Sequence, residues 1–485
     1  MHINEEVIQQ KINALFLKNS LPVTSILRLP QQGSNRIYYR VYSNETSYIV
    51  TFGDNVKENQ AFHHFSDHFH KKGLAVPRVH DRSDDGLIYF QEDFGDTSLL
   101  SILEKEGYTP KVFDLFANSL KELAHLQVKG DKGLDYKMTI TSKKFGKEAI
   151  MADFLYFKYY FLDALQQPYD KELLLQEFST LSTILANSQH EHFMFRDFQS
   201  RNIMVTDERD VHFIDFQGGM KGAVQYDVAS LLWQAKAALP KDWKDKLLAV
   251  YKTELKSIIS KPFEEENFDE RYNGYVLIRL LQVMGAYGFR GLFERKAHFL
   301  TSIPLGLENL RDFLAETTLL NGFPTLKSVL EICVSPEIYN RFVPTKATEQ
   351  TPLKVTINSF SFIKNGYPPD PSVNGGGFVF DCRGILNPGR VEEHKTQSGE
   401  DEPVKNYLEF NTKMNEFLQS VYSMVDISVE DYLKRDFSSL MVNFGCTGGQ
   451  HRSVYAANAL ARHLKNKFGV PVTVTHLNKE GWRKL

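Results

Sequence analysis

The sequence predicts a two-lobed α+β domain, an antiparallel sheet leading into a mainly helical lobe, followed by a separate α/β domain. Three observations carry that reading. Residues 21–95 form short runs of alternating polarity broken by turn formers. Residues 101–332 are mostly helical in period. After a polar stretch with two prolines (341–353, RFVPTKATEQTPL), strands and helices alternate. The expected divisions are a first lobe over 1–95, a helical lobe over 96–340, a linker over 341–353 and an α/β domain over 354–485. A chain of 485 residues has room for these parts, at ~100–200 residues per domain.

In the first lobe, strands are expected over 23–29, 36–42, 47–52 and 87–90. Turns fall at Gly33 and Ser43-Asn44, and a helix at 57–71. In the helical lobe, helices are expected over 113–125, 171–185 and 228–238. Two strands interrupt them, one ending at Phe195 and one over 211–214. Beyond the linker, strands are expected over 355–363, 378–381, 440–444 and 472–476, with helices over 404–421 and 453–467.

Composition narrows the class. Apolar residues at 42% and charged residues at 24% exclude disorder as the main state. Eighteen prolines and thirty glycines exclude a collagen-like chain. A net charge of −3 gives no global basic field for nucleic acid. No run of about 18 apolar residues is seen, so no membrane span is expected. Residues 1–6 lack the positive-then-apolar order of a signal peptide. Three cysteines, Cys333, Cys382 and Cys446, are too few for a disulfide framework. The expectation is a cytoplasmic protein with reduced thiols.

The sharpest motif is Phe195-Arg196-Asp197-Phe198-Gln199-Ser200-Arg201-Asn202, followed by Ile203-Met204-Val205 and then by Ile214-Asp215-Phe216-Gln217. R-D-x-x-x-x-N, an apolar strand and D-F make a phosphotransfer catalytic loop with its metal-binding aspartate. An Asp must accept the proton of the attacking hydroxyl, an Asn must reach Mg²⁺, and a second Asp must bridge metal and phosphates. Positioning and charge neutralisation supply most of the rate.

These residues resemble the aminoglycoside phosphotransferase and choline kinase superfamily over about residues 5–330. Within it they resemble the anomeric kinases of N-acetylmuramate and N-acetylglucosamine. Further segments carry the resemblance: Gln32-Gly33-Ser34-Asn35-Arg36, Gln91-Glu92-Asp93-Phe94-Gly95-Asp96, and Tyr226-Asp227-Val228-Ala229-Ser230-Leu231. It implies a protein-kinase-like two-lobed fold with ATP in the cleft. It implies Asp197 as base, and Asn202 and Asp215 as holders of Mg²⁺. Gln32, Gly33, Ser34, Asn35 and Arg36 would sit at the nucleotide phosphates, and Glu92, Asp93 and Phe94 would form the hinge near adenine.

One departure stands out. The third strand, Tyr48-Ile49-Val50-Thr51-Phe52, lacks the lysine of protein kinases, so Glu58 lacks its usual partner. Arg36 or Arg40 is left to supply the charge. A degenerate kinase acting as a regulatory adapter is the alternative. The aromatic run over 154–162 (FLYFKYYFL) reads as core at helical spacing, and His63, His64, His68 and His70 as a surface set.

The second motif follows a buried strand: Gly445-Cys446-Thr447-Gly448-Gly449-Gln450-His451-Arg452-Ser453, then a helix. A Gly-rich turn from strand to helix aims backbone N–H groups at one spot and binds anions, phosphate above all. His451 and Arg452 are expected to add positive charge. Cys446-x₅-Arg452-Ser453 also matches cysteine phosphatases, in which a thiolate attacks phosphorus. Those enzymes usually carry His where Gly445 stands.

Residues 353–485 resemble the C-terminal domain of the RNase adapter protein RapZ. The shared segments are Ser359-Phe360-Ser361-Phe362, Phe380-Asp381-Cys382-Arg383-Gly384 and the loop itself. That resemblance implies an α/β domain that senses glucosamine 6-phosphate and binds regulatory RNA. It implies a ligand site of Asp381, Cys446, Thr447, Gly448, Gly449, His451, Arg452 and Ser453, with Asp381 suited to an amine. No Walker-type nucleotide motif precedes this domain; the kinase-like region stands in its place. Seven Lys or Arg follow residue 451 against Glu480, a cluster that a solvated helix face also explains.

The expected whole is an ATP- and Mg²⁺-dependent kinase of an amino-sugar hydroxyl, the anomeric one being a candidate, joined to a sugar-phosphate-binding domain. Its partners are small amino sugars and sugar phosphates, with RNA and a homo-oligomer left open.

Overall fold

The structure, a computed structural model, describes residues 5–29, 36–188, 190–207, 209–260, 262–294, 297–372 and 376–482. It divides into two compact units, Met1–Ala286 with Leu305–Val334, and Tyr287–Pro304 with Ser335–Leu485.

The first unit opens with α1 (Glu5–Lys18), an element the strand-centred reading left out. Its buried residues Ile8, Ile12, Leu15 and Phe16 lie on one face at helical spacing. They pack on Tyr39, Val41, Val50, Phe52, Ile88 and Phe90 of an antiparallel sheet. The strands are β1 (Ser25–Arg28), β2 (Ile37–Ser43), β3 (Thr46–Phe52), β4 (Val79–Arg82) and β5 (Ile88–Glu92), in the order β1-β2-β3-β5-β4. Asn44, with φ 55°, makes the turn that pairs Ser43 with Thr46. β4 was not expected: it is a short edge strand, VHDR, with little apolar signal. Between β3 and β4 runs α2 (Val56–His70), capped by Asn55, which accepts the N–H of Glu58.

The helical lobe begins with α3 (Leu99–Glu106), α4 (Pro110–Asp131), α5 (Lys147–Phe157) and α6 (Lys171–Leu185). Two small antiparallel ladders follow, built of β6 (Glu191–Met194), β7 (Ile203–Val205), β8 (Val211–Phe213) and β9 (Met220–Ala223). β6 pairs with β9, and β7 with β8. The remaining helices are α7 (Gln225–Leu232), α8 (Lys241–Ile258), α9 (Glu265–Tyr287), α10 (Ala297–Leu300), α11 (Ile303–Glu316), α12 (Pro324–Cys333) and α13 (Pro336–Asn340).

The expected helix over 228–238 ends six residues early, at Leu232, with Trp233 as its cap, and the chain then turns through Ala238 (φ 43°) ahead of Pro240. The aromatic run continues α5 as a wide π turn over 158–162. Phe154, Phe157, Phe161 and Leu162 are fully buried, which is the core reading. One helix, 265–293, is long and apolar enough to cross a membrane by length and composition. Tyr275, Val276, Leu277 and Ile278 of that helix are core residues.

The second unit holds a four-stranded parallel sheet of β10 (Lys354–Ser361), β11 (Gly377–Asp381), β12 (Ser439–Cys446) and β13 (Val472–His476). The order is β11-β12-β10-β13. The central strands β10 and β12 are buried almost throughout, whereas the edge strands alternate. Asn358 donates its side-chain amide to Asn443 across the two central strands at 2.8 Å. Asn443 donates onward to the carbonyl of Phe378 on β11 at 3.2 Å. Gly377 is required there, since a Cβ would collide with the Met441 carbonyl.

With α10 and α13, the unit also holds α14 (Glu402–Asn411), α15 (Met414–Lys434) and α16 (Arg452–Phe468). The expected helix over 404–421 is two helices. Thr412 stops the first by hydrogen-bonding back to the Leu408 carbonyl, and its hydroxyl accepts the N–H of Met414 to start the second. Val421, Val425 and Val429 of α15 and Leu460 and Leu464 of α16 share one core with Val355, Ile357, Val442 and Phe444. Leu353 is fully buried in that core, and Ala347 donates its N–H to Phe468. The second half of the proline-bearing stretch therefore packs on this unit.

Candidate functional site

In the first unit, β6 delivers Phe195 and Arg196, and the chain reverses with Arg196 at φ 82°. The left-handed conformation is costly for a side chain that large, and something must hold it. That something is Asp227, in the first turn of α7. Its carboxylate accepts the N–H groups of Phe195 at 2.8 Å and Arg196 at 2.9 Å, and the Gln127 amide at 2.9 Å. Burial pushes the Asp227 carboxyl up to about 6, although these donors pull the other way. The Arg196 guanidinium points to Asp153 of α5 at 2.7 Å and lies over the rings of Phe145 and Tyr226.

Asp197 follows. Its carboxylate accepts from Gln199 at 2.6 Å, from Arg279 at 3.1 Å and from Arg201 at 3.2 Å. Burial alone would raise its pKa, but Arg279 and Arg201, with Arg196 behind them, outweigh it and hold the carboxyl below its ordinary value. About a third of the side chain is exposed, so an acceptor can reach it.

Asn202 donates its amide to the Asp197 carbonyl at 3.0 Å and lies 3.5 Å from the carboxylate of Asp215. Its own carbonyl takes the N–H of Ile214, which locks the loop of residues 195–202 to the following hairpin. Asp215, at φ 70°, is a second left-handed residue. The tripeptide Asp-Phe-Gln thus occurs twice, and does the same thing twice. Phe198 and Phe216 are fully buried, and Gln199 and Gln217 each donate to the aspartate two residues back.

Asp215 places its carboxylate beside the Asn202 side-chain amide, whose Nδ2 faces it at 3.5 Å; a carboxylate and an amide are the oxygen-bearing groups that a hard divalent cation takes. These residues fit Mg²⁺. Among the described residues no three His, Cys, Asp or Glu side chains gather as a metal site.

Gln32, Gly33, Ser34 and Asn35 lie outside the described residues. Arg36 is buried, with one terminal nitrogen 2.7 Å from Glu58 and the other 4.0 Å from Asp215. Arg40 is committed elsewhere, forking onto Asp93 and Asp96. Asp93 also takes the N–H of Gly95, so its carboxylate braces the segment after β5. Glu92 accepts the N–H of Arg78, and Phe94 stacks on His212 with ring centroids 4.0 Å apart.

Two residues of this site escaped the motif reading. Arg279 meets Asp197 from 82 residues away. Its signal in the sequence is a lone cation inside the apolar helix segment YVLIRLLQVM. Asp153 leaves no comparable trace.

In the second unit, the loop after β12 is strapped on two sides. Gly449 has φ +68°, and a Cβ there would strike the side chain of Asn478. The Gly449 carbonyl accepts from Trp482, and Gln450 donates to Gln397. Ser361 at the end of β10 donates to the Thr447 carbonyl at 2.6 Å. A Cβ at Gly448 would meet open space.

Cys446 is buried under this loop. Its sulfur accepts the Gly449 N–H at 3.2 Å and lies 3.2 Å from the Ser453 hydroxyl. Arg452 is 5% exposed. Its Nη1 donates to the carbonyls of Arg383 and Ile385, Nη2 lies 3.4 Å from the Thr447 hydroxyl, and Nε has no hydrogen-bond partner. His451 differs from the expected cation: burial, then the neighbouring Arg452, push it toward its neutral form, and Nε2 sits on the His394 carbonyl. Asp381 at the end of β11 is held by Arg383 through its N–H, Nε and Nη2, and that hydrogen bonding keeps the carboxyl low.

Comparison with known proteins follows this division. The phosphotransferase enzyme family matches residues 25–258, and the RapZ C-terminal domain matches residues 353–480. A nucleotide-binding protein of Clostridium perfringens is 41% identical over 144 residues, which is 29% of this chain and 47% of that protein. One of Limosilactobacillus fermentum is 35% identical over 170 residues, 35% of this chain and 52% of that protein. One of Fusobacterium nucleatum is 31% identical over 211 residues, 41% of this chain and 67% of that protein. The chain spans about half the length of the first of these relatives. Among solved structures, choline kinase LicA from Streptococcus pneumoniae is 15% identical, with a TM-score of 0.44 over 64% of this chain and 99% of that one. A Plasmodium vivax ethanolamine kinase is 15% identical, with a TM-score of 0.46 over 66% of this chain and 90% of that one.

Proposed function

We propose, for a chain whose residues 25–258 belong to the phosphotransferase enzyme family and whose residues 353–480 are a RapZ C-terminal domain, that it moves the γ-phosphoryl group of ATP to a hydroxyl of an amino sugar. N-acetylmuramate and N-acetylglucosamine are the acceptors we favour, with the anomeric hydroxyl as the attacking group. The second unit binds an amino-sugar phosphate such as glucosamine 6-phosphate and adjusts the activity of the first.

The observation that supports the kinase reading is the convergence of Asp197, Asn202 and Asp215, bound to one another through Asn202. Asp197 orients the acceptor hydroxyl and takes its proton. Arg279 and Arg201 keep that carboxylate ionised and aimed. Asn202 and Asp215 hold Mg²⁺, which when bound neutralises charge on the transferring phosphoryl group. In the second unit, Arg452 and the loop N–H groups receive the phosphate.

One observation favours a second reading of the loop, a cysteine phosphatase: the Gly449 N–H and Ser453 hydroxyl both address the Cys446 sulfur, as they would a thiolate. Against it, Gly445 stands where those enzymes usually carry His.

The test is a panel of amino sugars incubated with labelled ATP, Mg²⁺ and the full chain, with the product phosphate located by NMR. A phosphorylated amino sugar is the expected result. Turnover of choline or an aminoglycoside with every sugar inert would overturn the substrate class, and no transfer to any acceptor would overturn the kinase reading.

A further inference from the structure

We propose that Cys382 and Cys446 form a peroxide-sensitive pair, joined on oxidation by a disulfide that draws the Cys446 sulfur from beneath its loop and lowers the affinity for phosphate. The disulfide stands on the sheet alone; its effect on phosphate rests on the anion-binding reading above.

β11 and β12 pair in parallel as far as Asp381 and Gly445. Cys382 and Cys446 come next, one step past that last rung. Phe380 and Phe444, two residues back, are paired in register with ring centroids 5.5 Å apart. Asp381 keeps an extended backbone (φ −91°, ψ 109°), so the alternation of faces carries on to Cys382. Side chains two apart on a strand share a face, and both sulfurs therefore project to one side. They lie in one core, Cys382 fully buried and Cys446 nearly so. Neighbouring strands run ~4.8 Å apart, inside the ~4.4–6.8 Å between Cα atoms that a disulfide spans. The two thiols also feel each other: burial pushes Cys382 well up, and Cys446 pushes it further.

Their roles differ. The Cys446 sulfur accepts the Gly449 N–H and lies beside the Ser453 hydroxyl in the first turn of α16, so it is the attacking group. Peroxide is small, and a Cβ at Gly448 in the loop above would meet open space. Cys446 gives up its proton, its sulfur attacks one peroxide oxygen, and the O–O bond breaks. The departing hydroxide takes that proton as water and leaves a sulfenic acid. The Cys382 sulfur then attacks the Cys446 sulfur, and the S–O bond breaks. Hydroxide leaves with the Cys382 proton as a second water. The two thiols together lose two electrons, and peroxide gains them.

Arg452 couples this chemistry to the loop. It donates to the carbonyls of Arg383 and Ile385, just after Cys382, and faces the Thr447 hydroxyl at 3.4 Å. Joining Cys446 to Cys382 takes the sulfur from the Gly449 N–H and shifts the turn on which Arg452 rests.

The test treats the reduced full chain with hydrogen peroxide and maps its peptides without reduction. Peptides joined through Cys382 and Cys446, with Cys333 still free, are the expected result. Cys333 ends α12 in the other unit, where burial pushes its thiol up to about 12. Binding of glucosamine 6-phosphate should fall by roughly 10- to 100-fold on oxidation, the range for one hydrogen bond to a charged group, and return with dithiothreitol. In Cys382→Ser, peroxide should carry Cys446 to a sulfinic acid that dithiothreitol does not reverse. Free thiols at both positions, links between chains, or a Cys446 sulfinic acid in wild type would overturn the pair. A joined pair with unchanged affinity would overturn the switch. The map uses the wild-type chain, so it decides even where Cys382→Ser does not fold. A reduced chain that binds no glucosamine 6-phosphate would count against the anion-binding reading, and the map would still decide the pair.

Discussion

The carboxylate of Asp227 accepts the backbone N–H of Arg196 at 2.9 Å, and so fixes a left-handed residue one step before Asp197. The loop that carries Asp197 is thereby tied to a fully buried side chain of α7. The backbone position of Asp197 is set by a group buried behind the loop.

That buried carboxyl should show itself in pH dependence. Its pKa is about 6 in the folded protein, against ~3.9 for an ordinary Asp. A folded-state pKa raised in this way stabilises below ~4, and the contribution is lost as pH climbs to about 6. Asp227→Asn has no such proton to lose. Wild type should therefore lose stability relative to Asp227→Asn between about pH 4 and 6 and level off above, as read from paired thermal midpoints. A gap constant from pH 4 to 7 would show that Asp227 titrates ordinarily.

Asp197→Ala should cut phosphotransfer by ~10²–10⁴-fold, the range for positioned acid–base groups, without unfolding the chain. Near wild-type turnover with the fold intact would remove the base from Asp197.

Asp215→Ala should abolish productive use of Mg-ATP more than it weakens nucleotide binding, because the metal acts mainly on transition-state charge. The paired measurements are single-turnover transfer and ATP affinity at saturating Mg²⁺. If turnover survives and only affinity falls, the metal-holding role belongs elsewhere.

In the second unit, Cys446→Ser should keep most of the affinity for glucosamine 6-phosphate. Arg452→Ala should cost about 1.5–3 kcal/mol, the range for hydrogen bonds to charged groups. Since Arg452 also ties down the carbonyls of Arg383 and Ile385, Arg452→Lys with an intact unfolding midpoint is the companion variant. Phosphate release from small phosphoesters that vanishes in Cys446→Ser would instead establish thiolate chemistry.

That Asp197 and Asp215 come together, and that a loop joins β12 to a helix, could be read from the sequence because the spacing is set locally, by a turn between two strands or between a strand and a helix. The helix Lys171–Leu185 and the strand Val472–His476 have the bounds expected from periodicity. Other features were written in tertiary terms. Arg279 is brought to Asp197 only when α9 folds against the catalytic loop. The partner of Glu58 is Arg36, one residue before β2, a choice between Arg36 and Arg40 that only the tertiary arrangement decides. The break at Thr412 depends on one hydroxyl turning back on its own helix, inside a run whose apolar period continues unbroken.

The amide pair Asn358 and Asn443 sits at the centre of the parallel sheet, both side chains nearly or fully buried. Sliding β12 by one residue against β10 would part the two amides in an apolar core, at ~1–3 kcal/mol for each orphaned group. Misaligned assemblies of this unit are thus penalised three rungs away from the one that carries Ser361 opposite Cys446. The pair acts as a combination lock: strands that mate at all mate in the one alignment that places the cysteine beneath its loop.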